Sequence, residues 1–390
     1  MATISMIRII SASLSPNTEF DDVWLAARLL CAPWVWQRGT APGKVESWFR
    51  NYLKTACAVT FNSGRSALLA ILKAFDVGKG DEVIIQAFTC VAVPNSIRWA
   101  GAIPVYADIE GTFNLDPADV EKKITSKTKA IIVQHTFGIP AKLDEIISIA
   151  KKYNIIVIED CAHSLGETGR LGDAAFFSFG RDKVVSSVFG GLATIRDDHQ
   201  KQIAALKAYH KKLAIPFVGW TFQQLFHPVA FAIILPLYRL EIGKLLLSFL
   251  QKIKLLSFPV YREEKYGRQP DDFPAKYPNA LATLLLKQLK KLERFSKQRR
   301  EISRMYGSDG AFLRFPRLVD NPELVIANAK KRGILLGNWY HNVIDPTGVE
   351  LKNMGYKKGS CPRAEEASEH IINLPTRISP RQARRVLNAL

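Results

Sequence analysis

Between residues 56 and 196 short apolar runs alternate with stretches whose apolar positions recur at helical spacing. SALLAILKAF, DEVIIQAF, PVYADI, LDPADVEKKI, KAIIVQHTFG, LDEIISIAKKYN and IIVIED follow one another in that order. Near-continuous apolar strands between amphipathic helices predict a mostly parallel sheet covered on both faces. In such a sheet the loops at the carboxyl ends of the strands build the ligand crevice. From 214 to 260 the texture changes to IPFVGWTFQQLFHPVAFAIILPLYRLEIGKLLLSFLQKIKLLSF, apolar and aromatic with scattered basic residues, which reads as an insert. A helical block follows, in which Leu285, Leu289 and Leu292 repeat beside Lys and Arg, and the rest mixes short strands and helices. The pattern divides the chain into an N-terminal segment (1–45), a large α/β domain (46–213), the insert (214–260), and a helical connection with a smaller α+β domain (261–390).

At 390 residues the chain is too long for one hydrophobic core, and two domains is the natural expectation. With 47% hydrophobic and 23% charged residues it has the composition of a packed globular protein. The formal charge of +18 calls for an anionic partner: nucleic acid, an acidic membrane face, or a phosphate-bearing small molecule. The basic residues are dispersed and form no nucleic-acid-binding module, so no nucleic acid is expected. Cys31, Cys57, Cys90, Cys161 and Cys361 are scattered without CxxC pairing, which suits a reducing cytoplasm. The opening MATISMIRIISASLSP lacks a long apolar core and a small-residue cleavage site, so no signal peptide is expected.

Three segments carry candidate chemistry. FNSGRSALLAIL reads as a strand end, a turn at Gly64 and a helix start, where unpaired N–H groups attract phosphate. Ser63, Gly64, Arg65 and Ser66 form the candidate cradle, although a Ser N-cap without ligand would give the same text. IIVIEDCAHSLGE sets Asp160 and His163 just past an apolar strand. A lone Asp there most often caps the next turn. In AAFFSFGRDKVVSSVFGG, Ser178 precedes Lys183 by five residues, and Gly190-Gly191 follow. A lysine amine in a dry pocket can form an imine with an aldehyde and carry protons, whereas a lone lysine is ordinarily a surface residue. GETGRLG, around Gly166, Gly169 and Gly172, reads as a hairpin turn, and His341 and His370 as satisfied polar residues. With no HExxH or similar cluster, no metal is expected.

The order of these segments resembles the DegT-type sugar aminotransferases, a family of fold-type-I pyridoxal-phosphate enzymes. The likeness extends through GDEVIIQAFTCVAVPNSIRWAGAIPVYADI, VQHTFGIPAKLDEI, KQLKKLERFSKQRREISRMY and CPRAEEASEHIINLPTRIS. It implies a fold-type-I large domain with a mostly parallel sheet and a smaller α+β C-terminal domain. It also implies pyridoxal 5'-phosphate linked to Lys183, with Asp160 holding the pyridinium proton, His163 beside the phenolic oxygen, and Ser178 with the Gly64 turn on the phosphate. The implied reaction moves an amino group from an amino acid such as glutamate to a keto sugar, usually nucleotide-linked, in a homodimer.

Three positions depart from the family pattern. Arg65-Ser66 stand where Thr-Ala is common, Cys90 replaces the ring-stacking aromatic and leaves Phe88 as its substitute, and FPAKYPNALA lacks the asparagine-containing text that serves the neighbouring subunit. These departures and the insert motivate an alternative, a membrane-associated binding or scaffold protein that kept the fold without turnover. VAFAIILPLY is shorter than the ~20 apolar residues of a span, and Pro228 and Pro236 would interrupt it. The following IGKLLLSFLQKIKLLSF, with Lys244, Lys252 and Lys254, suits docking on an anionic cytoplasmic membrane face, or packing as ordinary core.

Overall fold

The computed structural model describes residues 9–166, 168–238 and 241–390. Residues 1–8, part of the stretch read as lacking a signal peptide, lie outside them, as do Glu167 of GETGRLG and Arg239 and Leu240 of the insert.

The alternating segments form a seven-stranded sheet. Its strands are β1 (Val59–Phe61), β2 (Glu82–Gln86), β3 (Ile103–Ala107), β4 (Thr128–Gln134), β5 (Ile156–Asp160), β6 (Ala174–Ser178) and β7 (Gly191–Ile195). They lie in the order β1-β7-β6-β5-β4-β2-β3. The pairs from β3 across to β6 are parallel, and β7 runs antiparallel to both of its neighbours. Asp160 and Ser178 end adjacent parallel strands and therefore emerge at the same edge.

Helix α1 (Phe20–Leu30) lies near the start of the chain, and α2 (Gly64–Ala74) follows β1 directly. Ser63 is the N-cap of α2: its backbone is extended, and the Ser66 N–H donates to its Oγ at 3.2 Å. The apolar residues of SALLAIL are buried nearly all round, because α2 sits between the sheet and its neighbouring helices. Each such Leu or Ile contributes roughly 1.5–3 kcal/mol by leaving water. β7 passes so close to the start of α2 that a Cβ on Gly191 would stand 2.3 Å from the Ser63 carbonyl carbon, so only glycine fits there.

GETGRLG is not a hairpin turn. β5 and β6 on either side of it are parallel, and the connecting loop wraps the buried Glu159 carboxylate, which accepts from Gly169 N, Leu171 N and Gly172 N. The polar strand-end residue supplies acceptors for a loop that would otherwise bury bare N–H groups.

The insert is a helical hairpin, α3 (Val218–Leu237) and α4 (Ile242–Lys252), and α3 packs on α1. Pro228 and Pro236 do not interrupt α3, which runs for 20 residues. It is long and apolar enough to cross a membrane by length and composition, yet half of that window is buried in the protein. Its polar residues are met inside the fold: Gln224 Oε1 accepts from Ser257 Oγ, and His227 Nε2 lies 2.8 Å from Ser15 Oγ.

Domain limits are blurred at both ends of the chain. α5 (Asn279–Leu289), expected in the helical connection, shares a core with Phe177, Leu192 and Trp220 of the large domain and insert. α6 (Leu292–Met305) leads to the small domain, where β8 (Phe315–Leu318) pairs antiparallel with β9 (Ile371–Leu374). The N-terminal segment crosses between the two bodies, pairing Ile10–Ser11 with Ile334–Leu335 before reaching α1.

Candidate active site

A cavity of about 370 Å³ opens at the carboxyl edge of the sheet, lined among others by Ser63, Gly64, Asp160, His163, Ser178 and Lys183. At one end Ser178 meets the start of α2. A Cβ on Gly64 would lie 3.0 Å from Ser178 Cβ and 3.3 Å from its Oγ, so the missing side chain leaves a concavity between a hydroxyl and a helix start. The first N–H groups of a helix have no partner within it. Hydroxyls, exposed amides and a helix dipole together match a phosphate.

Asp160 is 2% exposed, and its Oδ1 accepts from Ala162 N at 2.9 Å. Burial pushes its carboxyl from 3.8 up to about 6, against the opposing pull of the Ala162 N–H and of Lys183. Lys183 lies largely enclosed with its Nζ 5.1 Å from the Trp339 ring centroid. Loss of water lowers its pKa below the ordinary lysine value, Arg314 adds to that fall, and Cys90 and Asp160 oppose it. His163 is held neutral by burial and by the cations of Lys183 and Arg314. The Phe137 N–H donates to its Nδ1 at 3.2 Å, so the neutral ring carries its proton on Nε2 and donates to the Tyr340 hydroxyl at 3.1 Å.

Two candidates from the sequence do not line the cavity, and a third lines it with its guanidinium engaged elsewhere. Phe88 does not line the cavity: it is fully buried and its ring packs against Phe113, Phe137 and Tyr340. Ser66 is consumed internally, its Oγ donating to Asn62 Oδ1 at 2.7 Å and its N–H to the Ser63 cap. Arg65 lines the cavity, but its guanidinium ion-pairs with Glu264 and donates to the Pro259 carbonyl at 2.8 Å.

Among the aromatic residues that line the cavity, Trp339 from the small domain is stacked on His163 at 5.5 Å and 11° and capped by the Arg314 guanidinium 3.4 Å from its centroid. No local pattern distinguishes Trp339 in GNWY from a core tryptophan. Gln134, at the end of β4, also lines the cavity, and a strand-end polar residue after AIIV was its available signal. His341 and His370 have partners, Asp345 and the Val319 carbonyl. Two acidic clusters among the described residues bring possible metal ligands together, His135-Glu159-Cys161 and Glu19-Asp21-Asp22. Their carboxylates are already engaged, by backbone N–H groups and His135 in the first and by Lys291 in the second.

A parallel sheet with one antiparallel strand, a phosphate-matched helix start, and a strand-end carboxylate facing a lysine define the class of fold-type-I transferases. The chain belongs to the DegT/DnrJ/EryC1/StrS aminotransferase family, whose sequence model matches residues 21–214. It is 39% identical over 172 residues to GDP-perosamine synthase of Caulobacter vibrioides, covering 42% of this chain and 46% of that one. It is likewise 39% identical over 185 residues to a dTDP-3-amino-3,6-dideoxy-alpha-D-galactopyranose transaminase of Aneurinibacillus thermoaerophilus, covering 45% and 51%. The chain thus spans about half the length of the curated relatives it matches. An aminotransferase structure from Psychrobacter cryohalolentis superposes with a TM-score of 0.71 over 95% of each chain at 19% identity, which extends the likeness of fold to the whole molecule.

The Asp160 carboxyl yields a stability prediction. A folded pKa raised from 3.8 to about 6 means that the fold binds a proton the unfolded chain has released, so stability is lost as pH rises from 4 through 6. In the ligand-free protein Asp160→Asn is expected to be more stable by roughly 2–3 kcal/mol above pH 6. The gain should vanish toward pH 4. Urea unfolding across that range checks it, and a pH-independent difference would place the carboxylate outside the dry pocket.

Proposed function

We propose that the protein is a pyridoxal-phosphate-dependent aminotransferase that takes an amino group from an amino acid such as glutamate and gives it to a nucleotide-linked keto sugar. The observation that carries this reading is the placement of Lys183 and Asp160 in one crevice beside the concavity at Gly64 and Ser178. When bound, pyridoxal phosphate supplies an aldehyde and an electron sink for the carbon that loses or gains the amine. Lys183 Nζ, whose charge is disfavoured by burial, is the attachment point and the proton carrier. Asp160 holds a proton on the ring nitrogen, and neutral His163 presents its ring beside the cofactor. Ser63, Gly64 and Ser178 hold the phosphate. Arg65 contributes its backbone at the helix start while its side chain is spent on Glu264 and Pro259. Trp339 is the candidate for the stacking position assigned earlier to Phe88.

The scaffold alternative is disfavoured because Ser63, Gly64, Asp160, His163, Ser178 and Lys183 line a single cavity and the two relatives are named for amino-sugar synthesis. Lys183→Ala should lose both the visible absorbance of bound cofactor and all turnover, with an unchanged circular dichroism spectrum. A borohydride-reducible linkage that survived in that variant would overturn the assignment.

A homodimer is part of the proposal. It is supported by the family resemblance and by Phe20, Trp24 and Trp34, aromatic side chains exposed beyond half of their surface. Sedimentation should give twice the 43.7 kDa chain mass, and a fully active monomer would exclude a shared site.

We also propose a cytoplasmic enzyme that docks at the membrane face through α4. Ile242, Leu245 and Phe249 on that helix and Ile253 just past its end are exposed at helical spacing, with Lys252 and Lys254 beside them. Liposome flotation should show binding to anionic vesicles at low salt and its loss on shortening the insert to a polar loop. Equal recovery of both forms with the vesicles, or of neither, would remove the docking role.

A further inference from the structure

The insert does more than present an apolar face. Its trailing residues Phe258, Pro259 and Val260 line the same cavity as Lys183 and Asp160. They are fastened to the catalytic segments by two arginines. Arg181, two residues before Lys183, donates from Nη1 to the Ser257 carbonyl and from Nη2 to Ser257 Oγ, both at 2.9 Å. Ser257 Oγ in turn donates to Gln224 of α3. Arg65, in the first turn of α2, donates to the Pro259 carbonyl and pairs with Glu264, whose other oxygen accepts from Tyr261 N at 2.7 Å. Burial pulls the Arg181 guanidinium down to about 10, so the fold bears a desolvation cost to keep this link. A segment that served only as an outer attachment would need no such anchor beside the lysine loop.

Phe258 is 50% exposed although it lines the cavity, which sets it at the mouth. Lys265 lines the cavity as well, its Nζ donating to the Thr347 carbonyl at 2.8 Å. An aromatic face with cations nearby suits a flat base joined to an anionic phosphate chain. A small amino-acid donor needs only to reach Lys183 inside. A sugar nucleotide must extend outward past the rim.

We infer that residues 258–260 form the acceptor-side wall of the crevice and that Phe258 stacks on the nucleobase of the acceptor, which rests on the aminotransferase reading above. The wall comes from the chain's own insert, in a protein that lacks the family's text for a neighbour-supplied loop in FPAKYPNALA.

The test uses the cofactor-loaded full chain. Free GDP, dTDP and UDP are titrated by calorimetry, and the absorbance change with L-glutamate or L-glutamine is followed separately. In Phe258→Ala the tightest of the three nucleotides should bind roughly tenfold more weakly. Phe258→Trp should keep the affinity, and the amino-acid half-reaction should be unchanged in both variants. Nucleotide affinity that Phe258→Ala leaves intact, no binding of any of the three nucleotides to the parent, or equal loss of nucleotide binding and of the amino-acid half-reaction would overturn the wall. Absence of any amino-acid half-reaction in the parent protein would instead sink the aminotransferase reading itself.

Discussion

A carboxylate and an amine are held in one crevice with little water around them, and the cost of burying both shapes the structure near them. Asp160 has one backbone N–H and the Lys183 amine to offset its desolvation, and its carboxyl stays well above the ordinary value. Lys183 is pulled the other way. Loss of water thus disfavours the charged form of both groups, raising the pKa of one and lowering that of the other. His163 completes the set, with its single proton fixed by the Phe137 N–H on one side and the Tyr340 hydroxyl on the other.

Such a site needs a rigid backbone, and distant segments provide it. Asn17, from the N-terminal segment, donates through Nδ2 to the carbonyls of Lys183 and Val184. Its own Oδ1 accepts from Arg299 of α6 at 2.8 Å, and its carbonyl from Gln288 of α5 at 3.1 Å. Ser15 N donates to Asp182 next door. Removing any one partner would leave buried polar groups unmet, a loss of about 1–3 kcal/mol each. The lysine loop is therefore positioned by residues more than a hundred positions away in sequence.

The insert joins the same framework from the other side. Leu256 is buried among Ala230, Phe231 and Ile234, so the α3–α4 hairpin has a small core of its own. Its outward face is apolar and its trailing end reaches the cavity through Phe258, Pro259 and Val260. One segment thus touches both solvent-exposed apolar surface and the site of chemistry.

The sheet and the insert were legible in the amino-acid sequence because each has a local signature. β-branched runs between amphipathic helices set the parallel strands, whereas Asp160, Ser178 and Lys183 each had an ordinary local reading and stood out through the family resemblance of their joint order. Ser66 and Phe88 do not line the cavity although their types suited it, because packing sets their orientation and the Ser66 hydroxyl turns to Asn62. Trp339, Asn17, Arg299 and Phe258 could not be found that way. They act through contacts with residues far along the chain, and no local periodicity records which distant side chain fills a given space. Sequence by itself determined the strand order's raw material and the chemistry at strand ends, since both depend on short-range pattern. Only the tertiary structure decided which aromatic faces the cavity and which segment walls it, since both depend on long-range packing.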